Sequence, residues 1–146
     1  MIFFLATIAA NAQVQFGNEK EGYYIEMDME AVGGDSIVII VRHASSNCDI
    51  SYNPKMQLRM FDGTTLNLTG KRNMGKGPIG AQTAPYAANY NVTEARYLLT
   101  QRQAESVKFG IKKVIIDTTK KAHEMEWTDD TTGKMLYHHY TTSLNK

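Results

Sequence analysis

From residue 24 to residue 30 the chain alternates, with Ile25, Met27 and Met29 on one side and Glu26, Asp28 and Glu30 on the other. A period of two is the signature of a strand with one buried face. Gly33-Gly34-Asp35 supplies turn chemistry, and residues 36–43 (SIVIIVRH) are then apolar on both faces, which predicts a strand in the middle of a sheet. Residues 47–54 are polar and carry Pro54, and read as a loop with at most a short strand. Met56, Leu58 and Met60 alternate with Lys55, Gln57 and Arg59, and the alternation resumes at Leu66 and Leu68 after Asp62-Gly63. Asp-Gly between two alternating runs predicts a hairpin.

Residues 70–88 break this rhythm with repeated Gly and Pro and read as one long loop. Strand composition returns over residues 90–99 and leads into Thr100-Gln101-Arg102-Gln103, a capping box that predicts a helix over 101–109 ended by Gly110. Residues 112–117 and 122–127 are two further strands. Leu136, Tyr140 and Leu144 recur every four positions, which predicts a C-terminal helix over 134–144, although a strand would also use Tyr137, His139 and Thr141. About seven short strands with one internal short helix predict a mostly β (α+β) fold, an antiparallel sandwich or open barrel.

The opening run MIFFLATIAANAQ is apolar from Ile2 to Ala10 and closes on Ala10-Asn11-Ala12. It reads as a signal peptide over 1–12, without the usual basic start, ahead of a single domain over 13–146. The run is too short to span a bilayer, and nothing later supplies the ~20 apolar residues of a membrane helix, so export to the periplasm or beyond is expected, with no transmembrane anchor. Sixteen basic and fifteen acidic residues leave a net charge of +1 without long runs, which argues against nucleic acid as a partner. Cys48 is the only cysteine, so no internal disulfide is possible, and a buried thiol is expected.

Candidate chemistry is sparse. Residues 70–76 (GKRNMGK) approach the phosphate-loop pattern, but Gly77 stands where Ser or Thr must hold magnesium and Pro78 where a helix must start. His43 lies five positions before Cys48, with no motif of a nucleophilic enzyme around either. His123 lies beside Glu124 and Glu126, and His138 beside His139, yet adjacent side chains diverge on either a strand or a helix. A metal site would need ligands brought together by the fold, so neither metal nor cofactor is expected. Tyr86, Tyr90, Trp127, Tyr137 and Tyr140 are the aromatic positions that could bind a partner from a β scaffold, with a carbohydrate or an envelope protein as the expected class.

Tyr97-Leu-Leu-Thr100-Gln-Arg-Gln103 followed by Phe109-Gly-Ile-Lys-Lys-Val-Ile-Ile116 resembles a segment of small exported proteins of Bacteroidetes bacteria. The resemblance covers residues 97–116 and implies an envelope-associated β domain, with no catalytic residue to transfer. The function expected is therefore a binding or structural module of the periplasm or cell surface. The alternative is a small hydrolase or metal-dependent enzyme using His43 or the C-terminal histidines.

Overall fold

In the computed structural model the described residues are 2–5, 14–18, 20–33, 36–46, 48–74 and 91–144. In chain order they form β1 (Ile2–Leu5), β2 (Val14–Asn18), β3 (Tyr23–Val32), β4 (Ser36–Ser45), β5 (Lys55–Met60), β6 (Thr65–Thr69), β7 (Lys71–Met74) and β8 (Asn91–Leu99), then α1 (Gln101–Ser106), β9 (Ile111–Ile116), β10 (His123–Glu126) and α2 (Thr131–Ser143). One sheet has the order β1-β2-β3-β4-β8-β7 and the other β10-β9-β5-β6. Every pairing is antiparallel and both sheets are open, so the expected mostly β fold is the one observed, as two sheets rather than a closed barrel.

The alternating pattern decides which face of each strand goes inside. Ile25, Met27 and Met29 on β3 and Ile37, Ile39 and Val41 on β4 are buried in one cluster with Met56, Leu58, Val114 and Ile116 of the second sheet. Each such side chain contributes roughly 1.5–3 kcal/mol by leaving water, which makes this shared layer the main cohesive element. β4 is central, flanked by β3 along residues 36–45 and by β8 along 37–45, as its two apolar faces require.

Thr100 closes the predicted capping box: its hydroxyl accepts from the Gln103 N–H at 3.1 Å, and the Gln103 side-chain oxygen accepts from the Thr100 N–H at 2.9 Å. α1 tightens into a 3₁₀ turn at Val107–Phe109, and the chain leaves it through Gly110 with φ of 94°, a backbone state that favours glycine. α2 is helical, as its four-residue spacing predicts, and buries Leu136 and Tyr140 while Leu144 is exposed. Gly133 lets α2 press onto the 3₁₀ turn, since a Cβ there would lie 2.6 Å from both the Val107 carbonyl oxygen and the Ile111 nitrogen. Beyond Met27, where the pairing with β2 ends, the Ala31 N–H of β3 donates to Ser143 Oγ of α2 at 2.9 Å, so the helix covers that stretch of strand edge.

Two stretches differ from the sequence reading. Residues 71–74 form β7 on β8 rather than the start of a loop: Arg72 donates to the Ile50 carbonyl at 3.0 Å and stacks over the Tyr52 ring at 3.9 Å, contacts no local pattern announces. Residues 75–88 of the expected loop lie outside the described residues. Val14–Asn18, which carries little alternation, is a strand between β3 and β1, and Ile2–Leu5 of the opening apolar run pairs with it.

Candidate functional site

At one end of the core the two sheets contribute polar side chains where the pattern elsewhere places aliphatic ones. His43 continues the inner face of β4 after Ile39 and Val41, and it is fully buried. His123 opens β10 on the inner face of the other sheet, opposite Ile116, and is 4% exposed. A turn places it there: Thr118 Oγ1 accepts from the N–H groups of Lys120 and Lys121, reversing the chain between β9 and β10. Cys48 follows the end of β4, where its N–H donates to Ser45 Oγ at 3.3 Å and its Sγ lies 3.4 Å from the same hydroxyl.

The segment carrying Cys48 is fastened on both sides. Asp49 N–H donates to Thr119 Oγ1, Ile50 N–H donates to the buried Thr93 Oγ1, and Ile50 bridges to Thr118. His43 Nε2 is 3.0 Å from His123 Nδ1, and His123 Nε2 is 4.0 Å from Cys48 Sγ. One donor atom from each of the three lies within 4.8 Å of the others, and all three residues are buried. Tyr23 roofs the group, its ring stacked on that of His123 at 3.7 Å between centroids and 10° between planes.

Burial governs the electrostatics. It pushes the His43 imidazole down to about 3, with the neighbouring His123 adding to the effect. It pushes His123 down to about 4, opposed by Glu21 and helped by Lys121. Both rings are therefore neutral at pH 7. Burial likewise pushes the Tyr23 phenol up to about 12. His43 Nδ1 is buried without a hydrogen-bond partner among the described residues. A neutral imidazole pair with a thiol is a donor set for a borderline or soft metal ion. An ion about 2.0 Å from each nitrogen and 2.3 Å from sulfur spaces such ligands by roughly 3.3–3.8 Å, so donors within 4.8 Å of one another would close in by up to about an ångström to share one.

The other positions picked out in the sequence go elsewhere. Trp127 and Tyr140 are buried in the core and Tyr137 is half-buried beside it, so these three build the hydrophobic layer; Tyr86 and Tyr90 lie outside the described residues. His138 is exposed on α2, and His139 Nδ1 meets Asp28 Oδ1, joining α2 to β3. A shallow groove over β5, β6 and β9, bordered by Lys55, Gln57, Asn67 and Asp117, includes none of the three clustered residues.

The convergence of His43, Cys48 and His123 is brought about by the fold, as a site here would require, with 80 and 75 residues separating the contacting pairs. The available signal was weak: a histidine on the inner face of each of two strands, where an apolar residue fits the pattern. Comparison with known proteins returns no matching family, no matching characterised protein and no matching solved structure.

Proposed function

We propose that this chain is an exported binding module whose ligand is a transition-metal ion held by His43, Cys48 and His123. The observation that carries the reading is the meeting of two neutral imidazoles and one thiol in a buried cluster drawn from both sheets. Ligands fixed by two packed sheets are positioned before the ion arrives, which reduces the ordering cost of binding. Support for export is the composition of residues 1–12, and none of the described helices is long and apolar enough to cross a membrane.

The hydrolase alternative has one observation in its favour: Cys48, His123 and His43 form a line in which a thiol meets an imidazole oriented by a third group. That relay needs an imidazolium on His123 during the reaction, which burial disfavours, and a substrate path to a thiol that is only 8% exposed. Metal binding needs no imidazolium, and its entry path has to pass only a single ion.

Untagged protein stripped with a chelator and dialysed against zinc, or anaerobically against Cu(I), should retain one equivalent of at least one of these ions, with Cys48→Ser and His43→Gln each losing it. No retained ion, or retention unchanged in both variants, overturns the reading. Iodoacetamide should modify Cys48 of the folded, metal-free protein more slowly than the same thiol in denaturant. Modification faster than that of an unfolded thiol would favour the relay instead.

A further inference from the structure

Resting on the metal-site reading, we infer that the ion this site is built to hold is monovalent copper rather than zinc. The donor set has three members, and no fourth His, Cys, Asp or Glu joins it among the described residues. Closed zinc sites take four protein ligands, and open ones reserve the fourth position for water or substrate. This cluster has no fourth protein ligand among the described residues, and its three ligands are buried, with the Tyr23 ring stacked on His123. Monovalent copper is satisfied by two or three donors, and both thiolate and imidazole suit it, so the number of donors rather than their type separates it from zinc.

Charge balance points the same way. One thiolate and two neutral imidazoles carry a single negative charge, so a monovalent ion leaves a neutral site and a divalent ion leaves a net positive one. An uncompensated charge among side chains between 0% and 8% exposed is costly, and burial makes it more so. The neighbouring Glu21 does not supply a buried anion, because it is ion-paired to Lys121 at the exposed surface. Ser45 Oγ, 3.4 Å from Cys48 Sγ, is placed to donate to the thiolate once it forms, an arrangement that holds a ligand in orientation. Binding is simple substitution: the Cys48 proton passes to water as the copper–sulfur bond forms, two imidazole lone pairs complete the coordination, and no electron is transferred.

The test uses the whole chain, stripped of metal, under anaerobic reducing conditions. Cu(I) is titrated against a colorimetric Cu(I) chelator, and zinc against a zinc indicator in parallel. The expected result is one equivalent of Cu(I) bound at least about a hundred-fold more tightly than zinc, two tenfold steps of binding free energy. Cys48→Ser, near in size to the native residue, should remove that preference, with circular dichroism showing that the variant is folded. Zinc bound as tightly as Cu(I) by the same three residues would overturn the copper assignment and leave the metal site standing. Failure of the native chain to bind either ion would overturn both, and Cu(I) binding unaltered by Cys48→Ser would overturn the copper assignment through these ligands.

Discussion

His43 Nε2 and His123 Nδ1 lie 3.0 Å apart, each ring providing a polar partner for the other across the interior between two sheets. In the metal-free chain one of these nitrogens donates and the other accepts, and nothing else described satisfies the buried end of His43. Removing His123 therefore leaves a fully buried imidazole with both nitrogens unpaired and a cavity beneath the Tyr23 ring. His123→Ala should destabilise the metal-free protein by about 2–4 kcal/mol, from the lost hydrogen bond and the cavity together. Urea unfolding measures it, and a loss below about 0.5 kcal/mol, the range of ordinary surface substitutions, would mean the pair is not a stabilising contact.

The capping box at Thr100 is an independent check on local structure. Thr100→Ala removes the acceptor for the Gln103 N–H while leaving the exposed helix face untouched. The expected cost is about 1 kcal/mol, near the middle of the measured range for such caps. An unchanged denaturation midpoint would show that α1 is held by packing of Ala104 and Val107 rather than by its cap.

Much of the fold was legible because most of it follows local rules. The strand from Tyr23 shows its two faces in every second residue, the capping box is four residues long, and the hairpin at Asp62-Gly63 is contained in its own turn. What escaped local reading depends on long-range contact. β7 is a strand because β8 and the Ile50 carbonyl meet it, whereas Lys71-Arg-Asn-Met74, next to repeated Gly and Pro, reads locally as loop. The cluster is a stronger case. His43 looks like the polar end of a strand and His123 like a residue near a turn, and only the face-to-face packing of the sheets makes them neighbours. Trp127 and Tyr140 show the converse, aromatic positions whose abundance suggested binding and whose burial makes them core.

A pH prediction follows from Glu26, which is only 4% exposed on the face of β3 opposite the core. Burial holds its carboxyl above the ordinary range, an effect larger than the opposing pull of Arg42 at 3.5 Å and Gln15 at 3.3 Å, and Asp28 on the same strand adds to the rise. Glu94 sits across from Arg42 in register on β8 and is ion-paired to Arg96. Because the folded value lies above the unfolded one, the folded state binds more protons in that window. Stability associated with Glu26 is therefore present at acid pH and is lost as pH rises from the unfolded value through the raised folded value. Glu26→Gln, neutral at every pH, should be more stable than the native chain near pH 7, with the difference shrinking toward pH 4. Denaturation midpoints across that range provide the comparison, and a difference that grows on acidification would mean the Arg42 pairing outweighs burial.

The central claim is that one ion is held jointly by two histidines and one cysteine, and X-ray absorption fine structure at the metal edge reads those ligands directly. For the chain loaded with one equivalent of the ion it retains, zinc or Cu(I), the expected spectrum shows one sulfur and imidazole scattering from two rings, with zinc distances near about 2.3 Å to sulfur and about 2.0 Å to nitrogen. A spectrum without sulfur, or with a single imidazole, would contradict it.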